Sequence, residues 1–351
     1  MHKITITAAR AAGALLITAA VAHAQPQLTL PEPSPKAVVS QTIGIAEVQV
    51  VYHRPAVKGR AIWGKLVPYG EVWRAGANEN TSISFSHPVS IAGKALDAGT
   101  YGLHMIPTEG DWTIIFSRNA TSWGSFFYKE SEDALRVKVI PQVSDFRESL
   151  QYEFSGLSDS AAVLSLSWEK LRIPIPIVFD TRSLILANIR EVYLRGPAGF
   201  SWQGFNAAAQ YSYRNGGSLT EALGWVDRSL EVNENFTNLR TKAAILEKMG
   251  NAAEAKSLRD RSLKEASEID INNLGYEYLG QGKSKEAIEL FERNVKAHPE
   301  SWNVYDSLGE ALGKSGNMKG AISNYEKALS MVKDDGNKKR ITDTIAKLKA
   351  Q

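Results

Sequence analysis

The sequence contains no cysteine, and this absence removes several kinds of chemistry at once. Disulfide bonds, thiolate nucleophiles, cysteine-ligated zinc sites and iron–sulfur clusters all need sulfur as the bonding or reacting atom. A large excess of charge of one sign is also missing, because 41 lysines and arginines face 38 aspartates and glutamates in 351 residues. The net charge of +3 gives no reason to expect a nucleic-acid partner. Oxygen and imidazole chemistry remain, or binding without chemistry.

Motifs for nucleotide cofactors, metals and nucleophiles are missing as well. The chain has neither GxxxxGK[ST] nor GxGxxG, the glycine-rich loops that hold phosphates. His53, His87 and His104 lie on separate predicted strands without HxH or HExxH spacing, so a metal site would need their approach in the folded chain. The residues around Ser125 lack the second glycine of a nucleophile elbow. The sequence therefore predicts no cofactor and no metal, and it leaves open whether the protein is an enzyme.

Long hydrophobic runs are rare, and one lies near the N-terminus. Residues 1–24 have a basic start, an apolar stretch from Ala11 to Ala22 and small residues at Ala22 and Ala24. This pattern fits a signal peptide, whereas a membrane-spanning helix takes about 20 apolar residues. We expect residues 1–24 to be a signal peptide and residues 25–37 a linker. The mature protein is then exported, to a periplasm, without an integral membrane segment; a retained anchor is the alternative.

The sequence between about residues 38 and 179 favours short strands. Apolar and polar residues alternate there, and glycine, proline and asparagine interrupt the alternation. The clear runs are Glu47 to Tyr52, Thr81 to Phe85, Tyr101 to Ile106, Trp112 to Ser117, Leu135 to Ile140, Leu150 to Phe154 and Ala162 to Trp168. Such spacing predicts an all-β sandwich or barrel. Pro174 and Pro176 lack the N–H that a central strand donates, so we interpret their segment as an edge strand or a linker.

Beyond about residue 181 the periodicity becomes that of helices, and a repeat appears. Three features recur with a spacing of 34 residues: Leu274-Gly275 and Leu308-Gly309, Ala287 and Ala321, Phe291 and Tyr325. This period predicts stacked helical hairpins in which the small residues lie where two helices touch. The repeat resembles the tetratricopeptide repeat (TPR) family, with Pro299 at its closing position. The resemblance implies an all-α TPR-like solenoid over residues 181–351, with about four hairpins from Trp202 onward.

The TPR resemblance also implies a groove that binds a protein or peptide. Family geometry places five residues on it: Asn272, Tyr276, Asn303, Asp306 and Glu310. Asparagine can pair with a peptide backbone through both a donor and an acceptor. The lysine clamp for C-terminal carboxylates of some family members is not matched, because Asp306 and Glu310 have the wrong charge. The resemblance therefore favours a peptide of basic character. The alternative is that the repeats only pack on the sandwich or dimerise.

A stretch in the first half is dense in rigid and reactive residues. It contains Tyr52-His53-Arg54-Pro55, Lys58-Gly59-Arg60, Ile62-Trp63-Gly64, Leu66-Val67-Pro68-Tyr69-Gly70 and Val72-Trp73-Arg74-Ala75-Gly76-Ala77-Asn78-Glu79. With Ala98-Gly99-Thr100-Tyr101-Gly102-Leu103 further on, it resembles the DUF2911 family over about residues 34–177. That family is a β-rich domain of exported bacterial proteins without an established activity, so the resemblance implies a fold and no mechanism. The family usually has serine where this chain has His53.

The loop over residues 53–79 is the candidate ligand site of this half. Its candidate ligand-binding residues are Arg54, Lys58, Arg60, Trp73, Arg74, Asn78 and Glu79. Guanidinium groups can hold a carboxylate or phosphate through two hydrogen bonds, and indole rings beside amides can bind a sugar. The alternative is structural: the cations pair with Glu71 and Glu79 and clamp the loop, and the tryptophans belong to the core.

These patterns predict an exported envelope protein of two domains, which binds a protein partner through its TPR solenoid. Its β-sandwich has no established activity. The second hypothesis is a periplasmic hydrolase, or a protein that binds a small polar ligand such as a saccharide or an anion. Its site would lie in the loop over residues 53–79 and would use Arg54, Arg74 and Glu79.

Overall fold

A computed structural model of the chain describes residues 30–350. The expected signal peptide, residues 1–24, lies outside the described residues, as do residues 25–29 of the expected linker. The described chain divides into two compact units between Phe179 and Asp180. Within residues 30–350, no helix has both the length and the apolar character needed to cross a membrane.

The first unit consists of two antiparallel sheets. Its strands are, in chain order, β1 (Lys36–Ile43), β2 (Ala46–His53), β3 (Ser82–Phe85), β4 (Val89–Ile91), β5 (Lys94–Leu96), β6 (Gly99–Ile106), β7 (Trp112–Ser117), β8 (Asp133–Val139), β9 (Gln142–Ser155) and β10 (Ala161–Val178). The larger sheet has the order β1-β2-β3-β6-β7-β8, and the smaller sheet has the order β5-β4-β10-β9. The predicted β-sandwich is therefore confirmed.

The core of this unit follows from the alternation along its strands. On β2, Val48 and Val50 are buried, whereas the neighbouring Glu47 is exposed. Buried apolar side chains come from both sheets, for example Ile83 and Leu103 from the larger and Leu166 from the smaller. A strand presents alternate side chains to opposite faces, so period two in the sequence buries one face of each sheet.

Strand β10 differs from the prediction at its two prolines. It continues to Val178, so the segment is neither an edge strand nor a linker. Its pairing with β9 ends at Arg172, and its pairing with β4 begins at Ile177. Pro174 and Pro176 lie between these two ladders, and Pro176 contributes only its carbonyl, which accepts from Ala92 N–H at 3.0 Å. No ladder donor is therefore lost.

The second unit is helical. Its α-helices are α1 (Thr181–Asn188), α2 (Trp202–Arg214), α3 (Leu219–Val232), α4 (Phe236–Lys248), α5 (Ala252–Ser262), α6 (Glu268–Gly280), α7 (Ser284–Ala297), α8 (Trp302–Lys314), α9 (Met318–Met331) and α10 (Asp335–Lys349). A π-helical turn, Ile189–Tyr193, extends α1. Helices α2 to α9 pack as four consecutive hairpins, and α10 packs on α9. The predicted all-α solenoid is confirmed.

The repeated small residues lie where the helices of a hairpin meet. A methyl group at Gly275 would come within 2.5 Å of the Phe291 ring, and one at Gly309 within 3.2 Å of the Tyr325 ring. Ala287 is fully buried in the same cluster as Phe291. The 34-residue pattern therefore encodes close contact between two helices, with a large ring in the space that a glycine leaves.

Candidate functional site

The loop between β2 and β3 is tied to both sheets. Val57 N–H donates to the Glu148 carbonyl at 2.7 Å, which joins the loop to β9 in the smaller sheet. Trp73 and Met105 exchange two backbone hydrogen bonds of 2.8 Å, which join the loop to β6 in the larger sheet. Backbone groups of a loop need such partners when they are removed from water. The predicted ligand loop is therefore an ordered bridge between the sheets.

The tryptophans of this loop form a cluster with tryptophans of the sheets. The Trp63 ring lies 5.8 Å from Trp73, 4.9 Å from Trp112 and 5.7 Å from Trp168, in each case edge to face. Trp73 stacks on Trp168 at 6.0 Å. Trp112 and Trp168 are almost fully buried. Four indoles packed in this way form a core, so Trp63 is not a free sugar platform.

The arginines of the loop clamp it through main-chain carbonyls. Arg54 Nε donates to the Leu150 carbonyl at 3.0 Å. Arg60 Nε and Nη2 donate to the carbonyls of Val57 and Ala56 at 3.0 and 2.5 Å. Among the described residues, neither guanidinium has an ion pair with a carboxylate. For these two arginines the structural alternative is therefore right about the clamping of the loop and wrong about the partners, which are carbonyls rather than Glu71 and Glu79.

Lys58 also serves the loop through its backbone. Its N–H donates to Glu148 Oε1 at 2.9 Å, and its φ of 48° is a left-handed conformation next to Gly59. The side chain is exposed. Lys58 thus marks a tight turn of the loop, which its backbone joins to Glu148 of β9.

Asn78 contacts the segment that precedes β1, and Glu79 contacts His53 at the end of β2. His53 is 5% exposed, and its Nε2 lies 3.3 Å from Glu79 Oε2 and 3.4 Å from Glu32 Oε2. Asn78 Nδ2 donates to Glu32 Oε2 at 3.2 Å and to the Ser34 carbonyl at 3.4 Å. The two residues hold the chain around His53. Glu79 is therefore engaged with an imidazole rather than with Arg54.

Arg74 lines a pocket of about 280 Å³. The pocket is formed by Pro68, Glu71, Val72, Trp73, Arg74, Ser125 and Phe126. Of the seven candidate ligand residues, Trp73 and Arg74 meet here and the other five do not. Sequence reasoning missed the contribution of residues 125 and 126, because some 50 positions separate them from the loop and no local motif marks them.

A buried histidine is hydrogen-bonded to Ser125, one of the residues that line this pocket. His104 is 2% exposed, and its Nδ1 shares a hydrogen bond of 2.9 Å with Ser125 Oγ. Burial lowers the pKa of His104 to about 4; the nearby Asp133 carboxylate opposes this effect, and the Arg74 cation adds to it. The imidazole is therefore neutral at pH 7. A base this weak is a poor activator of a serine nucleophile, so the geometry favours positioning of the hydroxyl.

Tyr128, Asp133 and Arg136 form a polar network next to His104. The Tyr128 ring lies 5.3 Å from the imidazole, and its hydroxyl donates to Asp133 Oδ2 at 2.7 Å. Burial and the bond to Asp133 raise the pKa of Tyr128 to about 12. Arg136 Nε donates to the same carboxylate oxygen at 2.5 Å. Asp133 is thus engaged by Tyr128 and Arg136, and within the described chain it forms no ion pair with Arg74.

In the helical unit, three of the predicted groove residues join one network. Tyr276 Oη donates to Glu310 Oε2 at 3.0 Å, and burial raises the pKa of Tyr276 to about 12. Glu310 also pairs with Lys314 at 2.7 Å. Asp306 is 8% exposed and accepts from Arg340 Nη2 of α10 at 2.8 Å. The two carboxylates that favoured a basic peptide already have cationic partners.

The two predicted asparagines lie apart from this network. Asn303 Nδ2 donates to Glu268 Oε1 at 3.3 Å, so it links α8 to the start of α6. Asn272 is partly buried, and its Oδ1 is buried without a hydrogen-bond partner. Because that oxygen is buried, it does not face a bound peptide in this conformation.

A larger pocket, of about 430 Å³, lies among the first helices of three successive hairpins, α2, α4 and α6. It is lined by Gln210, Tyr213, Arg214, Phe236, Thr237, Arg240, Thr241, Ala244 and Glu277. In the described chain neither Arg214 nor Arg240 has an ion pair; Arg240 lies 5.4 Å from the centre of the Phe236 ring. Sequence reasoning missed this pocket because the first two hairpins lack the clear 34-residue signature.

Comparison with protein families divides the chain in the same way. Residues 34–177 match the family described as "Protein of unknown function (DUF2911)". Residues 271–300 and 303–334 match a tetratricopeptide repeat family. A DUF2911 domain followed by TPR repeats is therefore confirmed. No curated protein matches the chain.

Solved structures also show similarity. A crystal structure of MamA is 16% identical, with a TM-score of 0.28, and the match covers 43% of this chain and 88% of that one. The crystal structure of YrrB, described as a TPR protein with an unusual peptide-binding site, is 15% identical, with a TM-score of 0.28. That match covers 46% of this chain and 84% of YrrB.

Proposed function

We propose that the protein is an exported adaptor that binds an extended segment of a protein partner through its TPR unit. The observation that carries this proposal is the pocket formed by α2, α4 and α6 in an array of helical hairpins, of which α6 to α9 match the TPR family. Successive first helices that line one pocket offer a continuous surface to an extended chain. Export rests on the pattern of residues 1–24. N-terminal sequencing of protein from the envelope fraction tests it, with Gln25 expected as the first residue.

The charges of this pocket favour an acidic segment. In the described chain Arg214 and Arg240 offer guanidinium donors that form no ion pair with a carboxylate. The Thr241 hydroxyl lines the same pocket and accepts from Gln210 Nε2 at 3.1 Å. Glu277 on α6 is the one acidic residue of the lining. Charge-assisted hydrogen bonds from arginine to a carboxylate are among the stronger polar contacts in proteins. We therefore revise the expected partner from a basic to an acidic peptide.

Binding to an array of 12-residue peptides, grouped as acidic, neutral and basic, tests the proposal. Wild type is expected to retain acidic peptides. Arg214→Ala and Arg240→Ala are each expected to weaken that binding about tenfold or more, since a hydrogen bond to a charged group contributes about 1.5–3 kcal/mol. Arg228→Ala is the matched control, because Arg228 is exposed on α3 and pairs with Glu231. A preference for basic peptides, or equal losses in the control, would contradict the proposal.

The hydrolase hypothesis is not favoured, because its three residues do not meet. Arg54 is bound to the Leu150 carbonyl, and Glu79 lies beside His53. Arg74 lines the pocket with Ser125. A catalytic arrangement needs its groups within reach of one reacting atom.

A further inference from the structure

The pocket around Arg74 in the β unit contains a partly desolvated cation. Arg74 Nη1 donates to the Asn78 carbonyl at 2.5 Å, which uses one of five guanidinium donors. Burial lowers the pKa of Arg74, and within residues 30–350 no ion pair joins it to a carboxylate. A cation that has lost water and has donors to spare stabilises an anion placed beside it.

The guanidinium is held in place by its surroundings. Gly124 has a φ of 62°, and a methyl group there would lie 2.5 Å from Arg74 Nη1. On another side the Phe126 ring centre lies 5.5 Å from Arg74 Cζ. The guanidinium is therefore fixed between a glycine and an aromatic ring, and a ligand meets a preorganised group.

The pocket combines polar and apolar walls, and four of its seven lining residues have apolar or aromatic side chains. Pro68, Val72, Trp73 and Phe126 line it, and the Phe126 side chain is 76% exposed at its edge. A ligand that packs on this ring removes apolar area from water. A volume of about 280 Å³ suits a small molecule.

Two further polar groups define the charge of the ligand. Ser125 Oγ is positioned by the neutral His104 ring, so it offers a hydroxyl without adding a second cation. Glu71 is exposed and lines the same pocket. One cation and one carboxylate disfavour a dianion such as phosphate, and they match a ligand that carries one charge of each sign.

We propose that this pocket binds a free α-amino acid with an apolar side chain. The carboxylate of the ligand pairs with Arg74 and Ser125, its ammonium group faces Glu71, and its side chain packs on Trp73 and Phe126. This site is separate from the peptide pocket of the TPR unit, so either proposal can fail without the other.

Isothermal titration of the full mature chain with three probes tests the assignment. The probes are L-phenylalanine, phenylacetate, which lacks the ammonium, and phenethylamine, which lacks the carboxylate. Phenylalanine is expected to bind about tenfold more tightly than phenylacetate, and phenethylamine is expected not to bind. Glu71→Gln should abolish the preference for phenylalanine and leave phenylacetate unchanged. Arg74→Gln should abolish binding of both carboxylates.

Lys65→Gln is the matched control, because Lys65 is exposed in the same loop and does not line the pocket. Its affinity for each of the three probes should equal that of wild type. Arg74 also supports the loop through Asn78, so if Arg74→Gln fails to fold, Glu71→Gln and Ser125→Ala decide. No binding of phenylalanine to wild type, tight binding of phenethylamine, or unchanged ratios in Glu71→Gln would overturn the proposal.

Discussion

Among the described histidines, His104 has the lowest solvent exposure. It lies behind Ser125, and three groups face it: the Arg74 guanidinium, the Tyr128 ring and the Asp133 carboxylate. Burial dominates over the attraction of Asp133, so the pKa is lowered to about 4 from an ordinary 6.5. The neutral ring is thus part of the folded structure rather than a group that titrates freely.

This shift predicts a pH dependence of stability. Above about pH 6.5 the ring is neutral in both states and its contribution is fully present. As the pH falls from 6.5 to 4, the imidazole of His104 binds a proton in the unfolded chain but stays neutral in the folded chain. The free energy of unfolding therefore decreases by up to about 3 kcal/mol. Denaturant titrations across this range should show that loss in wild type and not in His104→Gln. Parallel curves for the two proteins would contradict it.

The roles of the loop arginines show where prediction at the residue scale fails. Sequence reasoning can match the side-chain charges of Arg54 and Arg60 with those of Glu71 and Glu79. It cannot identify which backbone carbonyls lack a backbone donor in an irregular loop, because every residue has a carbonyl and the pairing depends on the fold. Arg54 and Arg60 satisfy such carbonyls. The loop was therefore correctly recognised as unusual, whereas the partners depend on a backbone path that only the fold determines.

At the scale of elements, periodicity predicts best where one face is clearly buried. The run Trp112 to Ser117 is the strand β7 as the structure has it. Strand β1 was missed because it lies at the edge of its sheet and has one fully buried residue, Ile43, so its alternation is weak. In β10, the prolines were misjudged because the rule concerns donors in a ladder, and here two ladders end on either side of them.

The glycine of the repeat provides a test within a single helix. Gly275→Ala places a methyl group 2.5 Å from the Phe291 ring, and overpacking of this kind costs about 1–3 kcal/mol. Gly280→Ala is the matched control at the end of the same helix, α6, where nothing lies within 4 Å. Urea unfolding followed by circular dichroism should show lower stability for the first variant and equal or higher stability for the second. Equal effects would refute the contact as the reason for glycine.

The groove residues show the limit of family geometry. Tyr276 and Glu310, which the resemblance assigned to the groove, lie 34 residues apart and share a hydrogen bond. The 34-residue pattern did not reveal that Arg340 of α10 pairs with Asp306. Helix α10 lies outside the repeat, so the pattern gives no information about which of its residues face α8. The predicted basic ligand depended on carboxylates that the chain itself pairs.

At the scale of the whole molecule, the change of periodicity near residue 180 has a simple structural basis. Phe179 is buried in the core of the β unit. The next residue, Asp180, caps α1, and its carboxylate accepts from Ser183 N–H at 3.1 Å. A core residue followed directly by a helix cap leaves no linker in the sequence. The two halves could therefore be predicted from composition and period alone, whereas the pockets could not, since each gathers residues from distant elements.

Each unit has its own core, and this predicts that each half folds alone. Residues 25–179 include both sheets and the tryptophan cluster, and residues 180–351 include all four hairpins and α10. Since burial of apolar area within a unit is the main stabilising term, we expect cooperative thermal unfolding of both fragments, with β-type circular dichroism in the first and helical in the second. Phenylalanine should then bind the first fragment and acidic peptides the second. A fragment that is unfolded when isolated would show that its core is incomplete without the other half.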